Sequence, residues 1–341
     1  MGPLMHLVGM LLVIVAAAAL FTNALEHLGE RLGISEGVTG SLFAAVGTAL
    51  PETVIPLLAL VSGARDAPGQ AQVNEEISAG AILGAPLMLT TLSIFLVACS
   101  ALPRRGWRGS IEPERSGLRR DLDFFLLAFA IAALALFVPA PARALRVLLA
   151  AALVLVYAAY LALTLRASRR LIDAGHGTRA GAGLWIARVG FAPRLPATLL
   201  QLGAGLALLL LGAAGFIADV AAVARGLGVS TLLLSLLVVP VATELPEKLN
   251  SMLWLRSGKD TLALGNITGA LVFQGTLLPA LGILATPWQA RTEVTAGALL
   301  TLLGAGWLRT VARGSGLRLL ALLPNGALYL AYLAVALAAA R

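Results

Sequence analysis

The sequence predicts an all-α polytopic membrane protein with ten transmembrane helices arranged as two inverted five-helix repeats. Three observations predict it. The chain is 59% hydrophobic and only 12% charged, where a soluble domain carries about 25% charged residues. Its apolar runs recur at lengths that cross a bilayer, which takes about 20 residues. One acidic motif occurs twice: Gly47-Thr48-Ala49-Leu50-Pro51-Glu52 returns as Ala242-Thr243-Glu244-Leu245-Pro246-Glu247.

The first apolar run, near 4–21, follows a short Met-Gly-Pro start. It has no basic segment and no small-residue cleavage site before the charged stretch from Glu26 to Glu36, so a retained helix is expected rather than a leader. The second run, 37–61, holds the first motif. An outer polar stretch, Asp66 to Glu75, precedes the third run, 77–102, and the runs at 122–138 and 143–165 complete a first repeat over 1–166. Residues 167–196, with Asp173, Gly175, His176 and Gly177, form a polar cytoplasmic linker to which no chemistry is assigned. The second repeat, 197–341, offers runs at 197–218, 229–255, 261–286, 292–308 and 317–340. Five spans per repeat is an odd number, so the second copy enters the membrane from the opposite side. Inverted repeats of this kind place a site near the bilayer midplane and supply two halves that can alternate in access.

The net charge of +8 does not point to nucleic acid, because the basic residues lie in links between apolar runs, where they set orientation. Six arginines fall between the third and fourth runs and six around the central linker. With the other links of the same face they make eighteen basic residues against six on the opposite face. The richer face is expected to be cytoplasmic, with both termini extracytoplasmic in a bacterial plasma membrane. The single Cys99 excludes an intramolecular disulfide, and no Cys/His cluster has the spacing of a zinc site.

The two motifs align at an offset of 195 residues, which also matches Gly33 with Gly228, Ser35 with Ser230 and Gly63 with Gly258. Further on, Gly80-Ala81-Ile82-Leu83-Gly84-Ala85 matches Gly265-Asn266-Ile267-Thr268-Gly269-Ala270 at an offset of 185. A glutamate in hydrocarbon costs a few kcal/mol and is seldom without a task. Glu52 and Glu247 are therefore the leading functional candidates. Proline within a helix leaves the carbonyl four residues earlier without its bond, so Pro51 is expected to free that of Gly47 and Pro246 that of Ala242. With the hydroxyls of Thr48 and Thr243, each motif offers carbonyl, hydroxyl and carboxylate oxygens, the donor set hard cations take. Each smaller residue taken singly also has a structural use: prolines kink helices, threonines bond back to their own backbone, and the Gly-x-x-x-Gly spacings make packing faces. Glu26, Glu30, Glu36, Glu112 and Glu114 are expected to be solvated.

Paired segments of this form, each followed on the next helix by a segment like Gly-Asn-x-x-Gly-Ser, resemble the alpha-repeats of the cation/calcium antiporter superfamily, which includes the sodium/calcium exchangers. The resemblance covers roughly 33–95 and 228–285. It implies that Glu52 and Glu247 are central metal and ion ligands, with Thr48, Thr243 and the carbonyls of Gly47 and Ala242 contributing. Glu244, Asn266 and Gln274 are further candidate ligands. The sequence departs from the pattern: Ala49 and Glu244 replace serines that follow the threonines, Ala81 replaces an asparagine, Ala85 and Ala270 replace serines, and Leu89 and Gln274 stand four residues beyond those. Lys248 is foreign to the pattern and lies one helical turn from Glu244, the spacing of an ion pair, so it is expected to modulate the site.

These readings favour a secondary-active antiporter that exchanges calcium, sodium or both, with protons as alternative counter-ions. No covalently bound cofactor is expected, and the partners are the lipid bilayer and inorganic cations. Two rivals stay open: a degenerate relative that senses or scaffolds without transporting, and an intramembrane hydrolase using the two carboxylates as acid and base.

Overall fold

The computed structural model describes residues 2–49, 53, 80, 82–226, 244–314 and 316–339. Almost all of these are helical. Helix α1 spans Gly2–Leu32. Helix α2 covers 36–48, with α-helical Glu36–Val38 and Ala45–Thr48 flanking a π-helical stretch, Thr39–Ala44. Helix α3 is Ile82–Arg105, and it contains a second π-helical stretch, Leu89–Ser93. Then come α4 (Arg115–Ala135), α5 (Arg143–Asp173), α6 (Leu195–Gly226), α7 (Leu245–Arg256), α8 (Asp260–Ala285), α9 (Thr292–Val311) and α10 (Pro324–Ala339). Two short strands, β1 (Ser110–Ile111) and β2 (Leu317–Arg318), pair antiparallel and join the link before α4 to the one before α10. Seven helices among the described residues are long and apolar enough to cross a membrane.

The distribution of polarity is that of a protein solvated by lipid. Leu134, Leu155, Leu211 and Leu330 are 66–69% exposed, whereas Asp121, Glu244, Glu247 and Asn266 are at most 1% exposed. Water would favour the reverse, and a hydrocarbon solvent favours this arrangement. The chain is a multi-pass membrane protein.

Helix α8 is the central element. It packs against α2, α4, α5 and α7. Its contact with α2 is backbone to backbone: a Cβ at Gly40 would lie 2.9 Å from the Leu262 carbonyl oxygen, and one at Gly269 would run into the Ser41 backbone. The Gly265-x-x-x-Gly269 spacing is thus the packing face expected of small residues, and the helix it admits is α2. On the α4 side, stacked Phe125 and Phe129, with ring centroids 5.3 Å apart, cover Gly275. Helices α1 and α6 pack along one another, with Gly205 against the Phe21 backbone and Gly212 against Ile14.

Two expectations need correction. Helix α1 continues about eleven residues beyond the apolar run near 4–21, so the acidic stretch is its last turns rather than a loop. There Glu26 is 8% exposed and not solvated: it pairs with Lys259 at 2.6 Å and accepts hydrogen bonds from the Trp254 indole and the Gly181 N–H. A buried carboxylate is tolerable only with such company.

The central linker is also more ordered than its composition suggests. Helix α5 runs on to Asp173, and a 3₁₀ turn spans Trp185–Val189. Between them the chain is stitched to the ends of α1 and α2: Glu36 N–H donates to the His176 carbonyl, Thr39 and Thr178 share a 2.8 Å hydroxyl bond, and Asn23 accepts from Trp185 N–H. Nearby on the same face, Arg105 grips Asp260 with two 2.6 Å bonds. Arg309 pairs with Asp123, and Arg119 donates to the carbonyls of Ala312 and Arg313.

Candidate functional site

The second motif initiates α7. Glu244 is the N-cap residue and Pro246 falls in the first turn, where a missing N–H costs no intrahelical bond. The described part of the apolar run 229–255 is thus a helix that begins at the motif. Glu247, also in the first turn, faces the positive end of the helix dipole, which favours a carboxylate. One face of α7 carries a fully buried polar stripe: Glu244, Glu247, Asn250 and Ser251 are 0% exposed and Lys248 is 2%. Residues three, four and seven apart share a helix face, so the stripe follows from the spacing.

Helix α8 folds back on α7 through a tight turn in which Gly258 has φ +74°, a left-handed conformation that only glycine adopts without strain. That conformation accounts for the glycine at this point of the second repeat. The hairpin sets two amides of α8 against the stripe. Asn266 donates from Nδ2 to the Glu247 carbonyl and to Ser251 Oγ, both at 3.1 Å. Eight residues on, Gln274 Nε2 donates to Glu244 Oε1 at 3.2 Å. Glu247 and Lys248 both act electrostatically on Glu244. Glu244 receives a hydrogen bond from Gln274, and Lys248 acts on it through its charge. Among the described residues, Glu244 Oε2, Gln274 Oε1 and both polar atoms of the Asn250 amide have no hydrogen-bond partner.

The described end of α2, where the first motif begins, touches this hairpin. Helix α2 stops at Thr48, and its last turn, Ala45–Thr48, touches both α7 and α8. Gly47 lies in that turn, where a Cβ would come 3.2 Å from the Phe21 ring. Glu52, Ala242 and Thr243, together with the side chain of Thr48, lie outside the described residues. The structure therefore brings together Gly47, Glu244, Glu247, Lys248, Asn266 and Gln274 at the junction of α2, α7 and α8.

Asn250 and Ser251 belong to the same stripe but carry no motif. Helical spacing from Glu247, three and four residues on, would have found them. Asp121 of α4, 1% exposed, lies on the other side of α8, and repeat comparison is blind to it.

A buried stripe of acids, amides and a lysine between helices that cross a membrane defines a polytopic membrane protein with a polar interior of the kind that serves ions. The family described as sodium/calcium exchanger protein matches residues 3–166 and 197–338, and the chain belongs to it. The inner membrane protein YrbG of Escherichia coli (strain K12) is 26% identical over 286 residues, 83% of this chain and 79% of the relative. The sodium-calcium exchanger NCX_Mj, soaked with 2.5 mM Na+ and 0.1 mM Ca2+, superposes with a TM-score of 0.73 at 20% identity, covering 97% of each chain. The same exchanger soaked with 100 mM Na+ and 10 mM Sr2+ gives a TM-score of 0.74 at 19% identity. At such identities the likeness is one of fold. The family is one of transporters, so the hydrolase reading is set aside and the chain stands as a cation antiporter.

Proposed function

We propose that this antiporter alternates access to a midplane site centred on Glu52 and Glu247, exchanging calcium or sodium against sodium or protons. The carrying observation is the α7–α8 hairpin: it holds two buried acids in one interior and leaves the buried oxygens Glu244 Oε2, Gln274 Oε1 and Asn250 Oδ1 without hydrogen-bond donors among the described residues. Buried oxygens in that condition cost free energy unless something electropositive meets them. A desolvated cation does so. Thr48, Thr243 and the carbonyls of Gly47 and Ala242 complete the proposed ligand set, Asn266 orients Glu247 through its backbone, and Lys248 offsets part of the negative charge.

Depth supports the midplane assignment. Glu247 precedes Arg256, the end of α7, by nine residues, about 14 Å of helix, or half of a ~30 Å hydrocarbon core. We further propose ten spans in two inverted repeats, 1–166 and 197–341, with the arginine-rich links and the linker cytoplasmic and both termini outside.

Flux in proteoliposomes of purified protein, with calcium, sodium, potassium, magnesium and pH gradients applied in turn, tests the reading. Exchange that is lost in Glu247→Gln supports it, and wild-type exchange in that variant overturns the site. A second reading is favoured by one observation, the burial of Lys248 beside Glu244: the chain then carries its own cation in the interior and senses or scaffolds without transporting. Absence of flux under every gradient from well-folded protein would favour it.

A further inference from the structure

Outside the proposed ion site, the most developed polar cluster surrounds Asp121. Its carboxylate draws on three other helices. Ser41 of α2 donates to Oδ2 at 2.8 Å, Tyr160 of α5 donates to Oδ1 at 3.0 Å, and Thr268 of α8 lies 2.7 Å from Oδ2. Tyr160 and Thr268 are 0% exposed and Ser41 is 3%.

The hydroxyl of Thr268 makes the proton count informative. It lies 2.7 Å from Asp121 Oδ2 and also 3.0 Å from the Leu264 carbonyl oxygen, yet a hydroxyl has one proton to donate. With the carboxylate ionised, two acceptors compete for that proton. With a proton on Oδ2, Asp121 donates to Thr268, Thr268 donates to Leu264, and Ser41 and Tyr160 keep their bonds, so every contact is satisfied at once.

A small pocket beside the carboxylate is lined by Glu114, Thr261, Gly37, Gly117, Ser41 and Asp121. The charged and titratable neighbours are few. Arg120, on the same helix, acts on Asp121 electrostatically. Tyr160 faces it from α5, and Glu114 lines the cleft while capping α4 through Ser116 and Gly117. Helices α2 and α8 present only hydroxyls here. Glu36, at the start of α2, feels Lys259 and His176, and Asp260, at the start of α8, is held by Arg105.

We infer that Asp121 is a proton-binding site, separate from the ion site, whose protonation completes the hydrogen-bond network joining α2, α4, α5 and α8. Because Ser41 belongs to α2, which carries the first motif, and Thr268 to α8, which packs against the second on α7, proton uptake there tightens the scaffold of the transport site without entering it.

Infrared spectra of purified protein in lipid, recorded across a pH series, test this without any ion flux, so the outcome is independent of the Glu247 assignment. The difference between wild type and Asp121→Asn is expected to contain one carbonyl band of a protonated acid that bleaches through a single midpoint as pH rises. Tyr160→Phe removes a donor to the ionised form and is expected to move that midpoint upward by about one pH unit. It keeps the carboxylate, so it carries the test alone if Asp121→Asn fails to fold. A difference spectrum with no titrating acid band, or an unmoved midpoint in Tyr160→Phe, overturns the proposal.

Discussion

At the scale of single residues, the two acids of α7 have different company. Glu247 has its backbone carbonyl held by Asn266, whereas Glu244 has its side chain held by Gln274. Gln274→Leu strips Glu244 of that hydrogen bond, and an expected loss of about 1–3 kcal/mol is readable as a lower thermal midpoint. Lys248 is coupled to Glu244 by charge. Lys248→Ala is therefore expected to lower stability and flux, and the double change Glu244→Ser with Lys248→Leu to recover both. Equal behaviour of single and double variants in a mutant cycle removes the coupling. Glu247 was legible in the sequence because a matched copy marked it. Asp121 was not, since Arg120 and Asp123 flank it and make it look like the solvated edge of a span. Helical spacing separates them: Asp121 falls in line with buried Gly117, Phe125 and Ala128, while Asp123 faces out to Arg309.

At the scale of elements, glycines that look equivalent in the sequence have unequal surroundings. Gly265 has Ser41 Oγ 3.2 Å from an added Cβ, and Gly269 has the Ser41 backbone in the way. Gly80, the counterpart of Gly265, has nothing within 4 Å among the described residues. Gly269→Ala is expected to push α2 off α8 at a cost of about 1–3 kcal/mol, while Gly80→Ala leaves the thermal midpoint unchanged or slightly raised. Thermal unfolding followed by tryptophan fluorescence compares the two. Helix existence was largely legible from apolar runs, because lipid solvation demands them. The ends of α1 and α5 were not, because their last turns are polar and are anchored by bonds to distant segments, from Gly181 to Glu26 and from Ser168 to Ser35, partners that no local pattern announces. The π-helical stretch in α2 was hidden for the same reason: it depends on how Thr39–Ala44 meets α8 rather than on composition.

At the scale of the whole molecule, the charge asymmetry of the links predicts orientation. In a Cys99→Ala background, a cysteine at Ala338 is expected to react with an impermeant reagent added outside intact cells, and one at Ser110 to be protected. The opposite pattern reverses the assignment. The links of that arginine-rich face are also where the N-terminal and C-terminal halves are tied: Glu26 to Lys259, Arg105 to Asp260 and Asp123 to Arg309, each at 2.6 Å. Any movement that parts the halves on this face must separate all three pairs, while the opposite face is joined, among the described residues, by hydrogen bonds to backbone carbonyls, from Trp288 to Ala132, from Ala290 to Leu136 and from Arg146 to Thr286 and Pro287. The consequence is kinetic rectification by salt. Screening at about 0.15 M acts over roughly 8 Å, so choline chloride added only to the compartment bathing the arginine-rich face is expected to speed turnover. The same salt in the other compartment leaves the rate where it was. A transporter with fastenings alike on both faces would answer to ionic strength equally from either side, and an equal response here would remove the asymmetry.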